Sequence, residues 1–289
     1  MELQPLLDTA LAAARRAVEV HRSHLGRVSH ESWAEKGVAD FVTYVDREAE
    51  AAIVACVRDR WPDHAILAEE SAGDAHDVDL RSSETPLWII DPLDGTTNFL
   101  HGYPAYSASV AVALAGEPIA AAVVDGSTGE AWTALRGGGA FHDGERIHVS
   151  ELSSLKLALI GTGFPFKVLH LLPAYLRQFD RILRRTAGIR RGGSAALDLC
   201  HLASGYLDGF WELWLAPWDI AAGALVIREA GGIITRTDCD PDVLGHGSIL
   251  AGNPYIHGQL HELLQEPPPG WPAENPNETA HAGEDRTDR

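Results

Sequence analysis

Apolar positions at helical spacing open the chain. Leu7, Leu11, Ala14 and Val18 recur three or four residues apart, with Arg15, Arg16 and Glu19 between them. This predicts an amphipathic helix over residues 5–26. The same period in Ala49, Ile53, Cys56 and Val57 predicts a second helix over 46–57, ending before Trp61-Pro62. Two short apolar runs, 65–68 and 87–90, each end in acidic residues and read as strands. From Tyr106 to Val149 the pattern becomes an antiparallel meander. Val110, Val112 and Leu114 alternate, then Gly116-Glu117-Pro118 turns, 119–124 forms a strand, and Gly126-Ser127-Thr128-Gly129 turns again. Residues 131–135 precede a Gly-rich break, and Asp143-Gly144 is a further hairpin signal.

After about Ser150 strands and helices alternate. Strands are expected at 158–161, 209–213, 233–235 and 248–251, and helices at 171–183, 194–204, 221–229 and 254–264. The chain thus divides into an α+β half at 1–149, an α/β half at 150–264, and a disordered tail at 265–289 rich in Pro, Glu, Asn and Asp.

Composition adds a boundary and a puzzle. Of 289 residues, 45% are apolar and 22% charged, ordinary values for a globular protein. No apolar run approaches the ~18 residues of a membrane helix. The first residues (Met1, Glu2, Leu3, Gln4, Pro5) do not read as a secretory signal. Cys56, Cys200 and Cys239 lie far apart with no C-x-x-C, so a reduced, cytoplasmic setting is expected. The formal net charge of −18 disfavours nucleic acid and anionic lipid as partners. An anionic substrate would need bound divalent cations to reverse the sign locally.

Acids collect at the ends of apolar runs: Glu69-Glu70, Asp91 with Asp94, Glu212, and Asp219. Hard cations such as Mg²⁺ take oxygen ligands from a few carboxylates. Two carboxylates bracketing Pro92-Leu93, with the Leu93 carbonyl between them, can face one point, as a two-metal phosphoryl-transfer site requires. Gly95-Thr96-Thr97 could then open a helix whose N–H groups accept a phosphate. The same D-P-x-D-G is also plain turn chemistry. Glu69-Glu70 reads equally as a solvated pair, and Asp219 as a helix N-cap. The residues alone leave both readings open.

Three stretches together resemble a known family. They are Ala68-Glu69-Glu70-Ser71, then Trp88-Ile89-Ile90-Asp91-Pro92-Leu93-Asp94-Gly95-Thr96-Thr97-Asn98-Phe99, then Pro217-Trp218-Asp219-Ile220-Ala221-Ala222-Gly223 with Glu229-Ala230-Gly231-Gly232. The two longer ones are similar to the signatures of the inositol monophosphatase family. The resemblance runs from about Lys36 to Leu264 and takes in Asp40-Phe41-Val42-Thr43 with Asp46, and Gly161-Thr162-Gly163-Phe164-Pro165-Phe166. Gly193-Ser194-Ala195-Ala196 looks like the family's substrate-side helix start.

The resemblance implies a layered α-β-α-β-α sandwich, two to three Mg²⁺ ions, lithium sensitivity, and a homodimer. It implies that Glu69, Asp91 and the Leu93 carbonyl hold one metal, that Asp91, Asp94 and Asp219 hold a second, and that Glu69 supports a third. Thr96 with Asp46 would orient the attacking water, and the N–H groups of Gly95, Thr96 and Thr97 would cradle the phosphate. Gly193, Ser194, Ala195 and Glu212 would line the alcohol pocket with Asp219. Arg190-Arg191 would bind anions or bridge a dimer, and Lys36 would contact the metal site or stay solvated. Trp211, Trp214 and Trp218 read as packing residues, and His257 with His261 as exposed.

The chain departs from the pattern at Trp214, where many relatives have Gly, and at Ala216, which offers no polar group. The implied activity is Mg²⁺-dependent hydrolysis of a phosphate monoester, first of all inositol 1-phosphate. Fructose 1,6-bisphosphate, histidinol phosphate, NADP and 3′-phosphoadenosine nucleotides are the alternative substrates. Nucleotide-acting relatives often carry Lys where this chain has Thr97. A regulatory, protein-binding module is the reading of a different class, since some bacterial relatives contact the transcription machinery.

Overall fold

A computed structural model describes residues 2–28, 34–37, 40–71, 85–244 and 247–265, with backbone alone at 34–37 and 40–42. The expected tail from 266 onward and the Lys36 side chain lie outside the described residues. The chain opens with α1 (Gln4–His24), the hairpin strands β1 (Ala34–Gly37) and β2 (Asp40–Val42), and α2 (Tyr44–Arg60). The next strands are β3 (Ala65–Ala68) and β4 (Leu87–Asp94), followed by the short helix α3 (Thr96–Leu100). The meander follows as β5 (Ser107–Leu114), β6 (Glu117–Asp125), β7 (Ala131–Leu135), β8 (Gly139–His142) and β9 (Glu145–Arg146). Its last turn is the predicted Asp143-Gly144 hairpin, both residues at positive φ (47° and 84°).

The second half runs β10 (Leu159–Thr162), α4 (Leu172–Leu183), β11 (Gly188–Arg190), α5 (Ala195–Ala203) and β12 (Gly209–Glu212). It continues through α6 (Pro217–Glu229), β13 (Ile233–Arg236) and β14 (Ile249–Gly252) to α7 (Ile256–Gln265).

Strands β3 to β9 form one seven-stranded sheet in chain order. A five-stranded sheet has the order β11-β10-β12-β14-β13, parallel around β10 and antiparallel around β14. The second half is therefore mixed, not the purely parallel arrangement that strand–helix alternation suggests.

Strand β5 shows why the layers stack as they do. Its Val110 and Val112 join one core with Leu6, Ala13 and Ala17 of α1 and Ile53 and Val57 of α2. Its Ala111 and Ala113 point the other way, into a core with Leu199 of α5 and Ile220, Leu225 and Ile227 of α6. That second core also takes in Phe210, Ile234, Ile249 and Ala251 of the five-stranded sheet. The far face of this sheet, with Ile160, Trp211 and Leu250, packs on Tyr175 and Ile182 of α4 and Leu260 of α7. The result is the expected α-β-α-β-α sandwich. Because both faces of β5 are covered, its alternating residues are all apolar or small, and each large aliphatic side chain buried this way contributes ~1.5–3 kcal/mol. Among the described residues, no helix is long and apolar enough to cross a membrane.

Candidate active site

The two acids of the D-P-L-D stretch lie within a strand, and the expected tight turn is a β-bulge. Asp91 pairs with Ser109 and Asp94 with Ser107, so three steps along β4 match two along β5. The extra residue bends the strand end and brings Asp91 and Asp94 toward one point. Asp91 Oδ1 accepts the Leu93 N–H at 3.0 Å. Asp94 Oδ2 accepts from Ser194 Oγ at 2.5 Å and from Ala196 N at 2.8 Å, which ties β4 to the start of α5.

Asp219 stands third in α6 rather than at its N-cap, because Pro217 already begins the helix. Its Oδ2 accepts the Ala216 N–H at 2.7 Å. Carboxylate oxygens of Asp91, Asp94 and Asp219 all lie within 4.8 Å of one another.

Such a cluster is electrostatically costly on its own. Two like charges 4 Å apart repel by about 4 kcal/mol even at an effective dielectric of 20. Burial, then the charges of Glu69, Asp94 and Asp219, push the Asp91 carboxyl well above the ordinary carboxylate range. Burial also raises Asp94, against the hydrogen bonds from Ser194 and Ala196. Burial is also the main cause that pushes Asp219 up to about 7. A divalent cation removes the conflict.

Beside this cluster stands Thr96, first residue of α3. Its hydroxyl lies 3.0 Å from both Asp46 Oδ1 and the Leu93 carbonyl, with one proton to donate between them. Asp46 is aimed by its own helix start: its Oδ2 accepts from Thr43 N at 2.8 Å and Thr43 Oγ1 at 2.7 Å, a capping box at α2. Gly95 precedes Thr96 at φ 90°, and a Cβ there would sit 2.9 Å from the Ala105 carbonyl and 3.2 Å from that of Gly193. Only glycine lets these two loops meet.

Gly193, Ser194 and Ala195 come up against the same space. Ser194 is the N-cap of α5, its Oγ accepting the Leu197 N–H at 3.3 Å while donating to Asp94. Glu212, at the end of β12, is not a surface acid: its carboxylate lies so close to Gly163 that a Cβ there would fall 1.9 Å from Oε1. One cavity of about 640 Å³ is lined by Glu69, Asp91, Leu93, Asp94, Gly95, Thr96, Thr97, Gly193, Ser194, Ala195, Glu212 and Asp219. Asp46 stands behind Thr96. That volume suits a small-molecule ligand.

A sequence profile of the inositol monophosphatase family matches residues 2–267. The chain belongs to the inositol monophosphatase family. It is 45% identical over 268 residues to the Nus factor SuhB of Pseudomonas aeruginosa, covering 91% of this chain and 97% of that one. The inositol monophosphatase structure from Anabaena (Nostoc) superposes with a TM-score of 0.81 at 37% identity, covering 93% and 98% of the two chains. An IMPase structure from Thermotoga maritima gives 0.80 at 34% identity, covering 90% and 96%.

Inositol monophosphatases generally use Mg²⁺, and the donor set here fits it: three carboxylates within 4.8 Å, all hard oxygen, in a burial that disfavours uncompensated charge.

Sequence reasoning left two residues of the cavity, Asp198 and Lys167, unnamed, and it gave Arg191 and Trp214 other roles. Asp198, in the first turn of α5, lines it, and burial and then the charge of Asp94 push its carboxyl up to about 8. A lone acid in the apolar run Ala195-Ala196-Leu197-Asp198-Leu199 was the available signal. Arg191 lines it too, with its guanidinium 5.4 Å above Phe164 and 5.3 Å above Phe166, and Lys167 comes in from the loop after β10. Trp214, expected to pack, lines the cavity instead, whereas Trp211 is fully buried. Trp218 does both, buried and on the cavity wall. Away from the site, His257 is buried, its Nε2 2.9 Å from Thr235 Oγ1, contrary to the exposed reading.

Proposed function

We propose that the chain hydrolyses the phosphate monoester of a small polyol in a Mg²⁺-dependent reaction, with inositol 1-phosphate the first substrate to test. The observation that carries this is the triad Asp91, Asp94 and Asp219 set beside the Thr96–Asp46 hydrogen bond in one cavity. Glu69, Asp91, the Leu93 carbonyl, Asp94 and Asp219 are the groups that would hold the metal, two to three ions in all. Mg²⁺ held there supplies Lewis-acid charge that acidifies an attacking water and offsets the leaving alkoxide.

The chain's own residues do the rest. Thr96 Oγ1 donates a hydrogen bond to Asp46 Oδ1, so its lone pairs are free to accept a hydrogen bond from the water that attacks phosphorus and to orient it. Asp46 is buried and held by Thr43, which keeps that hydroxyl from turning. Backbone N–H groups at Gly95, Thr96 and Thr97 orient the phosphate oxygens. Glu212 accepts hydrogen bonds from the hydroxyls of the alcohol, with Gly193, Ser194 and Ala195 beside it on the cavity wall. The P–O ester bond breaks as the water oxygen bonds phosphorus; one of the water's two protons stays with the inorganic phosphate and the other ends on the departing alkoxide, giving the alcohol.

Asp94→Asn removes one charge from the triad and is expected to lower Mg²⁺-dependent phosphate release at least about 10²-fold with an unchanged circular dichroism spectrum. Full activity in that variant rejects the metal assignment. Comparing kcat/KM across inositol 1-phosphate, fructose 1,6-bisphosphate, histidinol phosphate, NADP and a 3′-phosphoadenosine nucleotide decides among substrates.

The Nus factor name carried by the Pseudomonas relative supports a second reading, a role as a Nus factor alongside or instead of catalysis. With a net charge of −18, its partner in that role would be protein rather than bare RNA. A partner captured equally by wild type and Asp94→Asn would support this role; no capture would remove it. Free thiols at Cys56, Cys200 and Cys239 favour the cytoplasm.

A further inference from the structure

Trp214 has a backbone that a tryptophan rarely adopts. Its φ is 68°, the left-handed region that costs a bulky side chain free energy and persists only where the surroundings impose it. The turn is imposed here: Glu212 ends β12 two residues before, Pro217 starts α6 three residues after, and Leu215 N donates to the Gly247 carbonyl at 2.5 Å. A glycine would meet this geometry without strain. The indole is nonetheless kept 38% exposed on the cavity, where it gains little from burial.

The rest of the cavity lining is chemically mixed. Glu212 and Asp198 are acids held in buried surroundings. Phe164 and Phe166 also line it, 37% and 40% exposed, under the Arg191 guanidinium. A single polyhydroxylated ring matches this set. Its hydroxyls point outward at the ring edge, toward acceptors, and its C–H faces are apolar and suit a flat aromatic surface. An open-chain alcohol such as glycerol has no such face.

We propose that Trp214 is a specificity-determining wall of the alcohol subsite, which selects monophosphates of single-ring polyols over acyclic ones by lying against the ring face. This rests on the phosphatase reading above. The test is the ratio of kcat/KM for inositol 1-phosphate to that for glycerol 2-phosphate, with Mg²⁺, in wild type, Trp214→Gly and Trp214→Phe. Trp214→Gly is expected to lower the ratio about tenfold, mainly through KM for the ring substrate, the size of an aromatic face contact. Trp214→Phe keeps a flat face and is expected to hold the ratio within about threefold of wild type.

Thermal melting separates this from packing. Trp214→Gly should melt no lower than wild type, since the backbone suits glycine. A ratio unchanged in Trp214→Gly overturns the wall, and a large fall in Tm beside an unchanged ratio assigns Trp214 to packing. Phosphate release by wild type from neither ester overturns the phosphatase reading and the wall with it. Wild-type activity with an unmoved ratio overturns the wall alone.

Discussion

Glu212 owes its position to a residue without a side chain. A Cβ at Gly163 would fall within 2.2 Å of three atoms of its carboxylate, so Gly163→Ala must push Glu212 out of place. If Glu212 binds substrate hydroxyls in ground and transition states alike, the variant raises KM about tenfold and leaves kcat within about threefold. A fall in kcat with KM unmoved would contradict that role. His21 supplies a second prediction at this scale. It is fully buried, its Nε2 donating to the Pro92 carbonyl at 2.8 Å while Nδ1 has no hydrogen-bond partner among the described residues. Burial lowers it from 6.5 to about 4, against the Pro92 hydrogen bond that raises it. The unfolded chain therefore binds the proton first, and stability falls as pH drops from about 6.5 to 4. The full effect is about 3 kcal/mol. Urea unfolding across this window should show a steeper pH slope for wild type than for His21→Gln, whose amide can still donate to Pro92. Equal slopes would refute it.

The start of α2 shows how an element fixes Asp46, the proposed positioning partner of Thr96. Thr43 caps the helix, its Oγ1 accepting the Val45 N–H at 3.1 Å, and its N–H and hydroxyl both fix Asp46. Thr43→Ala should cost about 1 kcal/mol in urea unfolding, the usual cost of a lost cap. It should also slow turnover about tenfold by freeing Asp46, with Thr43→Ser restoring both. Loss of stability without loss of rate would separate the cap from the site. Elements with a clear period were legible in advance: β3 has the same bounds, and α1, α2 and the meander lie within a few residues of theirs. β4 was cut short at Ile90 because Pro92 reads as a turn, whereas its pairing with β5 continues through a bulge to Asp94. β11 was invisible because Gly188-Ile189-Arg190 is too short to show alternation. The acids were legible because charge at the end of an apolar run is conspicuous. Trp214 was legible as a departure where many relatives have Gly, but its side chain was read as packing because tryptophan usually sits in a core, and its place on the cavity shows only in the structure.

At the scale of the molecule, the candidate ligands come from different layers. Asp91 and Asp94 end a strand of the seven-stranded sheet, Asp219 begins a helix of the middle layer, and Glu212 ends a strand of the five-stranded sheet. A cation shared by the first three therefore cross-links the sheet to the helices packed on it, and binding free energy becomes folding free energy. At a Mg²⁺ concentration 100 times its Kd the gain is about 2.7 kcal/mol. For a chain of 289 residues that corresponds to roughly 4–5 °C in Tm. The competing explanation is screening, since a net charge of −18 would be relieved by any salt. The two separate in one melting experiment: protein stripped with EDTA, then returned to Mg²⁺ or to NaCl of equal ionic strength. Site binding predicts that Mg²⁺ alone restores the higher Tm, and that Asp94→Asn, which keeps 17 of the 18 net negative charges, loses most of the increment. If NaCl restores it equally, or if Asp94→Asn gains as much as wild type, the triad does not hold the ion that stabilises the fold.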